Sequence, residues 1–217
     1  MPVRCLISDF GGVLTTPLLH SFAAFQDQTG IPTEALGKAM QRIAEADGAH
    51  PLFELEKGHV TEDVFLQRLR GELTTDLGHE PEMHGFKEIY FEALNPNEPM
   101  IELMRHLGQS LRMALLTNNV REWEPLWRSM LPVDEIFELV VDSAFVGMRK
   151  PDPEIYELTL DRMRERDGLA DLTPSQCVFV DDIEVNVEAA RALGMSAVHF
   201  RTNDQAIPEI EAAVEGG

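Results

Sequence analysis

Four short stretches of this chain carry side chains able to do chemistry on an anion. In Ser8-Asp9-Phe10-Gly11-Gly12 an aspartate leaves an apolar run and enters a Gly-Gly turn. A carboxylate there sits beside backbone N–H groups, although a turn-capping aspartate would look the same. Thr117-Asn118-Asn119 offers a hydroxyl and amides that suit phosphate oxygens and suit a helix N-cap equally well. Gly147-Met148-Arg149-Lys150-Pro151 sets a lysine just before a Pro-started helix, where a solvated lysine is the plainer reading. Val180-Asp181-Asp182, with Asn186 in the following turn, sets two adjacent carboxylates at the end of an apolar run. Such a pair is costly unless something positive lies beside it. Magnesium, a hard cation that takes oxygen ligands, would resolve the cost; capping of the next helix is the alternative.

These stretches need elements to position them. Five apolar, β-branched-rich runs read as strands: Val3–Ser8, Leu111–Leu116, Leu139–Val141, Cys177–Val180 and Ala197–Phe200. Most lack polar alternation, which marks strands covered on both faces, as in a parallel sheet. Helical spacing separates the later runs: Met100–Leu107 before the second, Ile155, Leu158 and Met163 after Pro153, and Val185 to Leu193 before Gly194. The alternation predicts a doubly wound α/β fold with ligands at the carboxyl ends of its strands. The stretch 16–98 shows no strand signal but recurrent helical patterns at Phe22–Thr29, Thr33–Ala46, Thr61–Leu73 and about Gly85–Leu94. It reads as a helical cap inserted after the first strand, over a core of residues 1–15 and 99–217. Thr15-Thr16-Pro17 and Asn95-Pro96-Asn97-Glu98-Pro99 are its expected hinges.

Bulk properties narrow the setting. The 217 residues, 44% hydrophobic and 26% charged, suffice for a full core. A formal charge of −20 works against nucleic acid or an anionic membrane as partner, and would repel an anionic substrate at long range. A phosphate site must therefore make its own positive field. The absence of a long apolar stretch, an N-terminus that turns acidic and Gly-rich early, and two cysteines in apolar runs point to a reducing cytoplasm. Cys5 and Cys177 read as core residues. Trp123 and Trp127 read as packing or a partner surface, and Arg42, Lys57 and Arg68 as solvated helix faces.

The order Asp9, Thr117-Asn118, Lys150-Pro151, Asp181-Asp182 resembles the four motifs of the haloacid dehalogenase (HAD) superfamily over essentially the whole chain. The stretches 147–151, 178–183 and 189–195 look closest to the N-terminal phosphatase domain of soluble epoxide hydrolase and its bacterial relatives. The resemblance implies a Rossmann-like core and a Mg²⁺-dependent phosphatase for a small phosphorylated metabolite. Asp9 would be the nucleophile, forming an aspartyl-phosphate. Thr117, Asn118, Lys150 and the backbone of Gly12 would hold the phosphoryl group, with Lys150 neutralising its charge. Asp9, the Gly11 carbonyl, Asp181 and Asp182 would hold the metal directly or through water.

One departure stands out. HAD phosphatases carry a general acid/base aspartate two residues after the nucleophile, and this chain has Gly11 there. Losing a positioned acid costs roughly 10²–10⁴ in rate, felt most by alkyl phosphates. A specialised phosphatase, a metal-independent 2-haloacid dehalogenase and a silent ligand-binding domain all accommodate the change. By side-chain type alone, His20, His50 and His59 are candidate replacement acids.

Overall fold

The computed structural model describes residues 2–17, 19–83 and 85–216; the side chains of Leu19, His20 and Phe22 fall outside that description. Five strands, β1 (Cys5–Ser8), β2 (Arg112–Thr117), β3 (Leu139–Asp142), β4 (Cys177–Asp181) and β5 (Ser196–His199), form one sheet in the order β3-β2-β1-β4-β5. Every pairing is parallel.

Strand residues alternate between two buried faces, which is why their sequence shows no polar alternation. Leu6, Met113, Leu115, Val178 and Val180 point into one apolar layer; Cys5, Ile7, Ala114, Leu116, Cys177 and Phe179 point into the other. The first layer is closed by α6 (Glu98–Leu107) and α12 (Asn203–Glu215), through Met100, Met104, Ala206 and Ile210. The second is closed by α10 (Pro153–Arg164) and α11 (Glu184–Ala192), through Ile155, Tyr156, Met163 and Ala190. α7 (Glu124–Met130), α8 (Val133–Ile136) and α9 (Ser143–Val146) flank β3. The sequence patterns do not announce α12 or these short helices.

Between β1 and β2 lie α1 (Leu19–Thr29), α2 (Thr33–Asp47), α3 (Pro51–Glu56), α4 (Glu62–Leu77) and α5 (Phe86–Glu92). Their apolar faces, including Phe25, Leu36, Ile43, Phe65 and Leu69, join the first layer of the core. α4 starts at Thr61, whose hydroxyl accepts from the Val64 N–H, with Glu62 and Asp63 on the positive end of the helix dipole. α3 is absent from the sequence reading because six residues are too few to display a period. The chain enters and leaves this insertion side by side. Thr15 and Pro96 form an antiparallel bridge, the Thr16 N–H donates to the Asn95 carbonyl (2.8 Å), and the Asn97 N–H donates to Leu14 (2.9 Å). No helix among the described residues is long and apolar enough to cross a membrane.

Candidate active site

Strand order decides which loops meet. From β1 the chain winds to β2 and β3 on one side, then crosses to β4 and β5 on the other, so β1 lies at the topological switch where such sheets bind ligands. Ser8 pairs with Val180 and Leu115, which sets Asp9 beside Asp181 and close to the end of β2 at Thr117. The Asp9 N–H donates to the Val180 carbonyl (2.9 Å), so the nucleophile candidate is still held by the sheet as the chain turns away.

Lys150 lies at the centre of this edge. Its Nζ is 2.7 Å from Asp9 Oδ1 and 2.7 Å from Asp181 Oδ2, and all three residues are buried. The lysine is held in turn by Asn118, whose Oδ1 accepts from the Lys150 N–H (2.8 Å) and whose Nδ2 donates to the Lys150 carbonyl (2.9 Å). With both amide atoms engaged, the Asn118 side chain positions the lysine rather than presenting itself to a phosphate. Thr117 differs: it is buried at the strand end and lines the cavity above, and its hydroxyl has no hydrogen-bond partner among the described residues.

The carboxylate pair is asymmetric. Asp181 Oδ1 accepts from the Ile183 N–H (2.8 Å) and from Asn186 Nδ2 (3.0 Å), and Lys150 takes Oδ2. Asp182 is less buried, and its carboxylate rests against Gly12. A Cβ at Gly12 would lie 2.1 Å from Asp182 Oδ2, and the φ of +77° there disfavours any side chain. The Gly12 N–H donates to Thr15 Oγ1 (3.2 Å), so Gly12 makes room for Asp182 and is not a free anion donor.

Asp9, Asp181 and Asp182 each offer an oxygen within 4.8 Å of the others. Burial pushes the Asp9 carboxyl up to about 8 despite Lys150, with Asp181 and Asp182 adding to the rise. Burial followed by Asp181 pushes Asp182 up to about 6. Burial opposes the Lys150 ammonium, yet Asp181 and Asp9 outweigh it and raise the lysine above its ordinary value. Once all three carboxylates are ionised, they leave two negative charges against the one ammonium, the charge of one divalent ion. An all-oxygen, doubly anionic cradle fits Mg²⁺.

Over this edge is a cavity of about 160 Å³. Its floor is Phe10, Gly11 and residues 117–120, and most of its walls are apolar residues of the insertion, such as Leu36, Leu55, Phe65 and Phe86. Three lining residues that carry polar groups were not foreseen as part of a site: Glu56, Tyr90 and Trp123. Trp123 is no partner surface; it is buried, and its Nε1 donates to Glu62 Oε1 of α4 (2.8 Å). Trp127 is core, edge-on to Phe10. Arg42, Lys57 and Arg68 are paired with Glu72, Glu54 and Asp47 and do not line the cavity. Neither His50 nor His59 lines it either, and the His20 side chain lies outside the described residues.

A parallel α/β sheet with this edge defines a class, and comparison with known proteins identifies it. The model of haloacid dehalogenase-like hydrolases matches residues 3–194, and the chain belongs to that family. Among curated relatives, acyl-CoA dehydrogenase family member 10 of Mus musculus is 28% identical over 96% of this chain and 19% of its own length. Bifunctional epoxide hydrolase 2 of Sus scrofa is 28% identical over 97% of this chain and 39% of its own. The chain thus spans well under half of these relatives. Among solved structures, a HAD-family enzyme of Bacteroides thetaiotaomicron superposes with a TM-score of 0.72 at 20% identity, covering 97% of this chain and 99% of that one. The same enzyme has been solved with magnesium and inorganic phosphate. An L-2-haloacid dehalogenase from Xanthobacter autotrophicus superposes at 0.60 and 18% identity, over 90% of this chain and 76% of that one.

Proposed function

We propose that this HAD-family hydrolase is a Mg²⁺-dependent phosphatase that cleaves small phosphate monoesters through an aspartyl-phosphate on Asp9. The observation that carries this reading is the charge deficit at the sheet edge: three clustered carboxylates and one buried ammonium. Asp9, Asp182 and the Gly11 carbonyl would hold the ion, with Asp181 joining directly or through water. Bound there, Mg²⁺ would supply the positive field that a chain of charge −20 cannot offer from its surface.

The chain's own groups account for the rest. Asp9 Oδ attacks phosphorus as the ester oxygen departs, and water then releases phosphate from the aspartyl group. Lys150 orients Asp9, opposes the burial that favours its neutral form, and neutralises charge on the transferred group. Thr117 donates its unpartnered hydroxyl to a phosphoryl oxygen. Residues 16–98 act as the cap that excludes water over the core of residues 1–15 and 99–217. The apolar walls favour an ester whose organic part is itself apolar. The relatives include a sesquiterpene phosphatase of Aspergillus oryzae, which is in keeping with such a substrate. A reducing cytoplasm suits the two buried, unpaired cysteines.

Gly11 and the structural likeness to a dehalogenase favour a second reading, carbon–halogen displacement without metal. Halide needs no proton to leave. Against it stands the carboxylate cluster, which a metal-free displacement would leave uncompensated.

The test is a panel of aryl, acyl and alkyl phosphates and a 2-haloacid, with Mg²⁺ and with EDTA. The expected result is phosphate release that needs both Mg²⁺ and Asp9. Asp9→Asn should abolish it, and Gly11→Asp, at a position outside the left-handed region, should raise alkyl phosphate turnover. Halide release in EDTA would establish the dehalogenase instead. Stoichiometric binding of a phosphate analogue without turnover would establish a silent domain.

A further inference from the structure

A phosphatase that has lost its acid/base aspartate must find a proton donor on the leaving-group side, inside the cavity that Gly11 and Thr117 line. Among the described residues lining that cavity, Glu56 and Tyr90 are the titratable ones, and Glu56 is the only carboxyl. From Glu56, the last residue of α3, and the cavity it shares with Gly11 and Thr117, we infer that this side chain substitutes for the missing acid/base. The inference rests on the phosphatase reading given above.

Glu56 is held at two points. Its backbone carbonyl accepts from Ser143 Oγ at 2.6 Å, which docks the end of α3 on α9. Its Oε2 accepts from Arg149 Nε at 2.7 Å, next in sequence to Lys150, and the side chain is 16% exposed. The Arg149 guanidinium is fixed in turn over the Phe53 ring, 3.8 Å from its centroid. No hydrogen bond to the second carboxyl oxygen, Oε1, is found among the described residues. Arg149, Lys150 and Tyr90 are the charged and titratable groups around it. Burial raises the Glu56 carboxyl above the ordinary glutamate range even against Arg149 and Lys150, as a proton donor near neutral pH requires. Tyr90 is the poorer donor: burial, then Glu56, Asp9 and Asp182, push its phenol far up.

The chemistry balances without a further reagent. As Asp9 Oδ bonds to phosphorus and the ester P–O bond breaks, Glu56 gives its proton to the departing oxygen, which leaves as the alcohol. The Glu56 carboxylate then takes a proton from water as that water's oxygen bonds to phosphorus. The P–O bond to Asp9 breaks, releasing phosphate and returning Asp9 as carboxylate and Glu56 as acid.

The experiment compares Glu56→Gln in the wild-type and Gly11→Asp backgrounds, with Mg²⁺, on hexyl phosphate and p-nitrophenyl phosphate. With hexyl phosphate, kcat/KM should fall by roughly 10²–10⁴, because an alkoxide cannot leave unprotonated. With p-nitrophenyl phosphate, kcat/KM should fall by less than about tenfold while kcat drops further, giving a burst of nitrophenolate, since water activation is also lost. Gly11→Asp should restore hexyl phosphate turnover to Glu56→Gln. Equal losses of kcat/KM on both esters, or failure of that rescue, would reduce Glu56 to a docking residue and overturn the inference. Unchanged hexyl phosphate turnover would overturn it as well. A wild type inactive on both esters would remove the phosphatase reading itself, and the inference with it.

Discussion

Asp181 and Asp182 are chemically identical neighbours with different surroundings, and that difference predicts different failures. Asp181 accepts three hydrogen bonds, one from the buried Lys150, so its role is to build the site. Asp181→Asn should destabilise the metal-free fold by about 1–3 kcal/mol, read by chemical denaturation. Asp182→Asn should leave that stability unchanged or higher, because it relieves repulsion, while calorimetric titration shows Mg²⁺ binding greatly weakened. At Gly12, alanine meets both the +77° φ and the Asp182 carboxylate. Gly12→Ala should cost about 1–2 kcal/mol in backbone conformation and displace Asp182, so that Mg²⁺ binding suffers more than melting temperature does.

At the scale of elements, the sheet edge works because β2, β1 and β4 are neighbours whose ends fall within two residues of one another in register. Asn118 adds the loop before α10 to that frame by clamping the Lys150 backbone. Asn118→Ala should cost about 1 kcal/mol for each of the two hydrogen bonds and lower kcat by about 10² through a displaced ammonium. The crystal structure of the variant, with turnover measured in parallel, would check both. Strand ends were legible in the sequence because burial on two faces leaves unbroken apolar runs, each stopping at its polar residue. Asp9 and Asp181 could therefore be picked out, and Lys150 by its place just before a Pro-started helix; their convergence is visible in the structure. Glu56, Tyr90 and Trp123 could not. They belong to the cavity only through the way α3, α5 and the loop after β2 pack together, and no period within a short helix encodes that. Asn118 was legible as a polar strand end, but not as a clamp on a residue 32 positions away.

For the whole molecule, the surface and the site carry the same sign of charge, so ion uptake should be coupled to protons. Relative to an ordinary aspartate near 3.8, Asp9 at about 8 binds an extra proton when folded. Asp9's own contribution to metal-free stability is therefore present at low pH and is lost as pH rises toward about 8. Magnesium held by these carboxylates would replace those protons. The rise in melting temperature on adding saturating Mg²⁺ should be larger at pH 8 than at pH 6, as checked by scanning calorimetry. Equal shifts at the two pH values would mean that the carboxylates do not hold the ion.

The central claim is that Asp9 itself takes the phosphoryl group. Rapid acid quench during turnover of p-nitrophenyl phosphate, followed by peptide mass mapping, reads this directly. The account predicts one phosphoryl group on the peptide containing Asp9, absent in Asp9→Asn and absent without Mg²⁺. Turnover with no such adduct, or with the adduct on another residue, would contradict it.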